Sequence, residues 1–200
     1  VCILKHASNV SGCALLIEKL FNDCSPYPNI FKTLLISSSQ VAIIISNSKI
    51  KAITLTGSEY AGSQVAMKAG EEIKKTVLEL GGSDSYIVLE DADIDLAAKT
   101  AVISRFLNTG QSCIAAKRFL IHNDVYDDFV NKVKEIISNL KIGDPLSEDT
   151  QIGPLAKPEF ADEIDFLVKS SIKKGAKCLL GGSRNKSFYD PTLLVDVNES

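Results

Sequence analysis

The sequence predicts an α/β fold with a mostly parallel sheet. Short runs rich in Val, Ile and Leu alternate with longer segments whose apolar residues recur at helical spacing. Turn-forming residues such as Gly, Pro and Asn separate the two kinds of segment. Strands that alternate with helices are usually joined by right-handed crossovers, which leave the strands parallel.

Residues 1–80 predict four strands and three helices in alternation. After a polar loop that begins at Lys5, apolar residues follow helical spacing from Val10 to Phe21, and Asn9 or Ser11 can cap this helix. Prolines at positions 26 and 28 end it. The remaining predicted elements are strands at 1–4, 31–36, 51–56 and 72–80, a short helix at 39–47 and a helix opened by the segment 57–62.

The pattern restarts after Gly81 and Gly82, which mark the predicted boundary between two α/β parts. The first helix of the second part follows the acidic segment D-A-D-I-D, whose charges suit the positive end of a helix. The helix at 125–140 carries its apolar residues on one side and is the clearest of all. The other predicted elements are helices at 94–107 and 159–174 and strands at 85–89, 118–121, 176–180 and 191–195.

Composition and charge exclude several classes of function. The chain is 45% hydrophobic and 24% charged, and its formal net charge is -3, as in an ordinary globular domain. Because no basic cluster is present, a nucleic-acid partner is not expected. The longest apolar run, 41–45, is too short to cross a membrane, and no signal peptide precedes it, so a cytoplasmic location without membrane contact is expected.

The five cysteines are odd in number and widely spaced, without a C-x-x-C pair. Neither His6 nor His122 has a Cys or His at metal-ligand spacing, so neither a disulfide framework nor a metal site is expected. Cys113 follows polar residues that can stabilise a thiolate. The other cysteines are expected to be small buried hydrophobic residues: Cys2, Cys13, Cys24 and Cys178.

A carboxylate and a thiol are the candidates for chemistry. Glu79 stands between two leucines in a strand predicted to be buried, and a carboxylate that is desolvated there becomes a stronger base. At an exposed strand end it would be a surface carboxylate only. Cys113 ends the segment F-L-N-T-G-Q-S-C, where a side-chain amide and a backbone N–H can form an oxyanion hole. A thiol and a carboxylate within reach of each other provide a nucleophile and a general base.

The strand–turn–helix segment at 54–62 is the candidate for binding a phosphate. Gly57 lets a ligand approach the backbone, Ser58 offers a hydroxyl, and the helix start offers free N–H groups. The spacing matches neither a Walker A loop nor G-x-G-x-x-G, and Gly and Ser often serve only as caps. Lys5, after the first strand, stands where parallel sheets bind ligands; it is either a ribose or phosphate ligand or a solvated lysine.

Taken together, these features resemble the aldehyde dehydrogenase superfamily, and within it the succinate-semialdehyde dehydrogenase group. The segments that carry the resemblance are T-L-T-G-S-E-Y-A-G at 54–62, L-E-L-G-G at 78–82 and F-L-N-T-G-Q-S-C at 106–113. A-A-K-R at 115–118, I-G-P-L at 152–155 and D-P-T-L-L at 190–194 add to it. The narrower resemblance comes from K-H-A-S-N-V at 5–10 and C-I-A-A-K-R-F at 113–119.

The resemblance implies that residues 1–80 are the C-terminal part of a Rossmann-type NAD(P)-binding domain and residues 81–200 the N-terminal part of a catalytic domain. It implies that Cys113 is the nucleophile, Glu79 the general base and Asn108 a support for the cysteine's loop. The residues implied to bind the cofactor are Lys5, Ser8, Gly57, Ser58, Gly62, Leu80 and Gly81. No metal is implied.

The implied reaction oxidises an aldehyde, succinate semialdehyde in the nearest group, to a carboxylate through a cysteine thiohemiacetal and a thioester. Ser8 stands where many NAD-preferring members carry a glutamate, so the cofactor is NAD or NADP. Family members are much longer than this chain and form homodimers or homotetramers, which makes the sequence an internal fragment. Two alternatives stay open: an inactive truncated fragment, and a relative that transfers the acyl group to coenzyme A.

Overall fold

A computed structural model describes residues 1–197. The chain divides into two compact units: Val1–Gly81, and a second that begins at Gly82. The helices are α1 (Ser11–Cys24), α2 (Val41–Ser46), α3 (Glu59–Glu71), α4 (Ile94–Phe106), α5 (Tyr126–Ser138) and α6 (Pro158–Lys173). The strands are β1 (Cys2–Leu4), β2 (Phe31–Thr33), β3 (Ala52–Thr56), β4 (Lys75–Glu79), β5 (Asp84–Val88), β6 (Ala116–Ile121), β7 (Lys177–Leu180), β8 (Arg184–Asn185), β9 (Phe188–Tyr189) and β10 (Leu193–Val195).

The strands of the first unit form two parallel pairs, β1 with β2 and β3 with β4. Thr56 lies opposite Glu79 in the second pair, so the carboxyl ends of both strands reach the same edge. Val65 and Ala69, four residues apart on α3, are buried together with Ile45 of α2 and form a small core beside β3 and β4. Such edges are where parallel sheets expose loops that can bind ligands.

The Glu18 carboxylate connects α1 to β2 through hydrogen bonds. The Glu18 carboxylate accepts a hydrogen bond from the Lys32 ammonium at 2.6 Å and another from the Thr33 backbone N–H at 2.7 Å. Both donors stabilise the ionised form, so the Lys32 ammonium and the Thr33 N–H hold the pKa of Glu18 below its usual value.

Replacing Glu18 by glutamine is therefore expected to change how stability depends on pH. A carboxyl whose pKa is lower in the folded chain adds stability above its unfolded pKa of about 4.3, and this stability is lost as the pH falls through the lowered value. Urea unfolding between about pH 7 and about pH 3 should show the free energies of wild type and E18Q converging in acid. A difference in the free energy of unfolding that stays constant with pH would contradict a stabilising role of the ionised Glu18. E148Q is a suitable control, since Glu148 is exposed and pairs with no cation within residues 1–197.

The second unit is built around α4 and α5, which pack against one face of the parallel pair β5–β6. The predicted apolar side of α5 supplies three of the buried residues. The members of this core are Val88, Ala98, Ala101, Val102, Phe129, Val133 and Ile137. The antiparallel pair β7–β10 and the helix α6 follow, and a second core joins Leu155, Ala161, Val168 and Tyr189. The core therefore holds α4 rigidly, and α4 leads directly into the segment that carries Cys113.

The predicted α/β class with parallel strand pairs is confirmed, with shifts at the element ends. The fourth strand, predicted from residue 72, begins at Lys75 because α3 continues to Glu71. Ile73 adopts a left-handed conformation with φ 52°, and the Lys74 N–H donates to the Ala69 carbonyl at 2.8 Å, which ends the helix. The hairpin β8–β9 was not predicted, since two residues per strand show no alternation.

Two predictions about burial are wrong. Within β4 only Leu78 is even half-buried, so the predicted burial of this strand is wrong; Glu79 is exposed, which is the alternative stated for a strand end. The four cysteines expected in the interior are exposed as well. The reason is that β4 pairs with a single strand, and that α1 buries only Ala14 fully, which leaves Cys13 and Cys24 of that helix at the surface.

Candidate active site

The residues predicted to act in chemistry are divided between the two units. Glu79 and every predicted cofactor residue belong to the first unit, and Cys113 and Asn108 belong to the second. Both Glu79 and Cys113 are exposed. Exposure leaves a carboxylate free to take a proton and a thiol free to meet a substrate.

Glu79 is placed by the pairing of β3 with β4. It is the last residue of β4, and its backbone carbonyl accepts a hydrogen bond from the Gly57 N–H at 2.9 Å. The turn from β3 into α3 therefore starts at the backbone of the predicted base. Gly57 and Glu79, distant in sequence, lie side by side at one edge of the sheet.

Two of the predicted phosphate-binding residues have structural roles. Ser58 caps α3, and its hydroxyl oxygen accepts a hydrogen bond from the Ala61 N–H at 3.2 Å. Gly62 is buried, and a Cβ there would lie 2.6 Å from Cδ2 of Leu80. The glycine thus lets α3 approach the end of β4 closely. Gly81 borders open space, where a Cβ would meet no atom within 4 Å.

A cleft of about 230 Å³ opens beyond the carboxyl ends of β1 and β2. The hydroxyl-bearing residues Ser8, Ser11 and Ser37 line it, and none of its described lining residues is a carboxylate. Within the described part of the chain the Ser8 hydroxyl makes no hydrogen bond to protein. Lys5 is exposed at the end of β1 but does not line the cleft. An anionic group could therefore enter without meeting a negative charge.

The segment that connects α4 to Cys113, residues 107–113, is called the cysteine loop below. Three consecutive residues in it adopt left-handed conformations: Asn108 with φ 52°, Thr109 with φ 56° and Gly110 with φ 76°. Asn and Gly tolerate this region, but a β-branched threonine is an outlier that costs on the order of 1–3 kcal/mol. Surrounding contacts must offset that cost.

The I-G-P-L segment at 152–155 holds the cysteine loop from one side. The Gly153 N–H donates to the Thr109 hydroxyl at 3.2 Å, and the Ala156 N–H donates to the Gln111 side-chain oxygen at 2.9 Å. Ile152 and Leu155 are buried and anchor the segment. A motif that the sequence identified without a role is thus the support of the loop.

The end of α4 holds the cysteine loop from the other side. The Arg105 guanidinium donates from Nη2 to the Gly110 carbonyl at 3.1 Å and from Nη1 to the Ala116 carbonyl at 3.3 Å. The Ala116 N–H in turn donates to the Ser104 hydroxyl at 3.3 Å. Burial lowers the pKa of the Arg105 guanidinium, since it is partly removed from water.

Lys117 bonds to the cysteine itself. Its ammonium donates to the Cys113 carbonyl at 3.2 Å and also to the Gly82 carbonyl. Gly82 lies close to the cysteine, because a Cβ there would be 3.2 Å from the Cys113 carbonyl oxygen. Arg118 donates two hydrogen bonds to the Ser83 carbonyl, at 3.1 and 2.9 Å. Gly82, the first residue of the second unit, therefore lies beside the backbone of the cysteine loop.

Asn108 and Gln111 close the cysteine loop on itself. The Asn108 carbonyl accepts hydrogen bonds from the Gln111 backbone N–H at 3.1 Å and from its side-chain amide at 3.2 Å. Both ends of the Gln111 amide are thus bonded to protein. The Gln111 side-chain amide is therefore used to shape the loop.

Sequence reasoning missed Arg105, Thr109 and Lys117 as parts of the site. Lys117 stood in the A-A-K-R motif, which was a usable signal, but nothing local distinguished Arg105 from a solvated lysine or arginine at a helix end. Across residues 1–197, no group of three or more His, Cys, Asp and Glu side chains is arranged to hold a metal ion. In the same range no helix combines the length and hydrophobicity that crossing a bilayer requires.

Known proteins resemble this chain in sequence and in structure. The sequence profile of the aldehyde dehydrogenase family matches residues 1–200. The chain is 46% identical over 200 residues to succinate-semialdehyde dehydrogenase [NADP(+)] 1 of Mycobacterium bovis, covering 98% of this chain and 44% of that protein. It is 48% identical over 198 residues to a probable succinate-semialdehyde dehydrogenase [NADP(+)] of Synechocystis sp., with coverage of 98% and 44%.

The fold of the chain is similar to solved structures of the same kind of enzyme. The succinic semialdehyde dehydrogenase of Streptococcus pyogenes in complex with NADP+ superposes with a TM-score of 0.94 at 33% identity, covering 98% of this chain and 44% of that one. The chain therefore spans less than half the length of these relatives. A profile match along its whole length shows that the chain belongs to the aldehyde dehydrogenase family.

Proposed function

We propose that the protein oxidises succinate semialdehyde to succinate with NADP, with residues 1–80 as part of the cofactor-binding domain and residues 81–200 as part of the catalytic domain. The observation that carries the proposal is Cys113, an exposed thiol at the end of a strained loop that is fixed from both sides. Strained backbone that the surrounding contacts hold in place is typical of active sites.

The cleft beyond β1 and β2 supports a cofactor with a 2′-phosphate. Its Ser8 hydroxyl can donate a hydrogen bond to a phosphate, and none of its described lining residues is an acid that would repel one. After the Ser58 cap, backbone N–H groups in the first turn of α3 can donate to a further phosphate. The nicotinamide ring, when bound, accepts a hydride from the substrate carbon. Two relatives carry NADP in their names, which agrees with this choice.

Cys113 performs the first step on the aldehyde. Its thiolate attacks the carbonyl carbon, a sulfur–carbon bond forms, and the carbonyl oxygen becomes an oxyanion. A backbone N–H of the rigid loop can donate to that oxyanion without reorganisation. Loss of hydride from the same carbon leaves a thioester on the cysteine.

Glu79 performs the second step. Its carboxylate takes a proton from water while the water oxygen attacks the thioester carbon. The carbon–sulfur bond then breaks, which releases the carboxylate product and returns the thiol. The exposed position of Glu79 at a strand end leaves both of its oxygens open to water.

Assays of the chain alone, and of the chain completed with the flanking segments of the Synechocystis relative, test the proposal. Succinate semialdehyde and NADP+ should yield succinate and reduced cofactor in equal amounts in the completed protein, with no effect of coenzyme A. Formation of succinyl-coenzyme A would instead favour an acylating enzyme. If the completed protein reduces no cofactor with any aldehyde, the proposal is contradicted. If the completed protein is active and the chain alone is not, the 200 residues by themselves are inactive.

Replacing Ser8 by glutamate is expected to weaken NADP+ binding and to spare NAD+. A carboxylate in the cleft would repel a 2′-phosphate by on the order of 1–3 kcal/mol, which is about 10–100-fold in affinity. Dissociation constants of both cofactors measure the effect, and S8A is the control that removes the hydroxyl without adding charge. Equal losses for both cofactors would show that the 2′-phosphate does not lie near Ser8.

A further inference from the structure

We propose that Arg105 is a positioning residue for the nucleophile, one that holds the cysteine loop in its reactive conformation. This role rests on the proposed function, since it presumes that Cys113 attacks the substrate. It is distinct from catalysis, because within residues 1–197 the guanidinium donates only to two backbone carbonyls.

The hydrogen bonds of Arg105 reach residues on both sides of Cys113 in the sequence. Gly110 lies three residues before Cys113 and Ala116 three residues after it, and one guanidinium donates to both carbonyls. Divergent N–H groups on a rigid fork can bridge two such carbonyls, whereas a lysine ammonium acts as a point charge. The bridge therefore fixes the distance between the two ends of the segment that presents the thiol.

The charge of Arg105 has no acidic partner within the described residues. Arg184, by contrast, pairs with Asp162, and Arg118 is exposed. A partly buried cation without a counter-ion is unfavourable unless it makes good hydrogen bonds. The carbonyls of Gly110 and Ala116 are the partners that offset this cost, so the arginine serves the loop rather than an ion pair.

The guanidinium also packs against the left-handed part of the loop. A Cβ at Gly110 would lie 2.6 Å from Arg105 Nη2, so a side chain at position 110 would displace the guanidinium from its present place. A basic residue in the last turn of a helix often serves only to bind that helix's own final carbonyls. Over residues 1–197, the side chain of Arg105 instead donates to the cysteine loop and to β6.

The test measures transfer of an acetyl group from p-nitrophenyl acetate to Cys113 in the 200-residue chain. The cysteine sulfur bonds to the acyl carbon and nitrophenolate leaves, so the reaction needs neither aldehyde nor cofactor. Mass spectrometry of the Cys113 peptide follows the rate, with Cys178 in the same sample as reference. R105A is expected to lower the maximal rate by about tenfold at an unchanged half-saturating concentration, because a misplaced nucleophile reacts more slowly.

Three further measurements separate positioning from general stability. R184A removes the same charge elsewhere and should react like wild type. R105K should regain only part of the rate, and added guanidinium ion should restore R105A by occupying the vacated place between the two carbonyls. Hydrogen exchange should rise in the cysteine loop of R105A and stay unchanged in β5 and β6.

An R105A rate equal to that of R184A, or a loss that guanidinium does not reverse, would overturn the role of Arg105. If R105A does not fold, R105K decides the matter, since wild-type reactivity in that variant would equally exclude a need for the bridge. A chain that acylates Cys113 in an Arg105-dependent way but oxidises no aldehyde would contradict the proposed function alone. Where oxidation is seen, R105A should lower kcat and leave KM unchanged.

Discussion

Replacing Cys113 by alanine is expected to abolish aldehyde oxidation. The carbon–sulfur bond to the substrate cannot form without this thiol, and loss of a catalytic nucleophile lowers turnover by roughly four orders of magnitude or more. The measurement is reduced-cofactor formation at saturating aldehyde, in the protein that shows activity with the wild-type residue. Mass spectrometry should detect no acyl adduct on the variant chain.

A matched control is available in the same chain. Cys178 is also exposed, and its thiol lies 3.2 Å from the Leu180 carbonyl, but it stands on β7, outside the cysteine loop. C178A should therefore keep its activity. Turnover in C113A at a rate near that of C178A would exclude the covalent mechanism on Cys113.

Replacing Glu79 by glutamine is expected to slow hydrolysis of the thioester while sparing its formation. General base catalysis by a carboxylate contributes about 10²–10⁴-fold, and a glutamine cannot accept the proton of the attacking water. Rapid mixing should show a burst of one reduced cofactor per active site, followed by slow turnover. The acyl group should accumulate on Cys113, where its added mass can be read directly.

The control for this variant is E71Q, which removes another exposed carboxylate from the same unit. Glu71 is the last residue of α3, at the end of the helix opposite the proposed phosphate site, so its replacement should leave turnover intact. Normal steady-state turnover in E79Q would eliminate Glu79 as the base. Loss of the burst itself would instead show that Glu79 acts before the thioester forms.

Much of the fold could be predicted from local patterns. The helical spacing of apolar residues identified α1 and α5 within a few residues, and the alternation of strands with helices identified the parallel pairing. Periodicity shows which side of an element is apolar, but not whether another layer covers it. That is why the sequence left the exposure of Glu79 open and did not anticipate that of the cysteines on α1.

The support of the candidate site could not be predicted in the same way. Thr109 is β-branched and disfavours the left-handed conformation, so its residue type does not predict the backbone conformation that it adopts. Its hydroxyl meets the Gly153 N–H across 44 residues of sequence, and such a contact depends on how the second unit packs. Arg105 bonds to the carbonyls of Gly110 and Ala116 for the same reason.

By itself, the sequence determined the α/β class and the family resemblance, and it identified Cys113 and Glu79 as candidates for nucleophile and base, because residue type and short spacing carry that information. The tertiary structure decided what is exposed and how the cysteine loop is held. Burial and backbone strain depend on contacts between segments far apart in the chain. Arg105, Thr109 and Lys117 became part of the site only when those contacts were known.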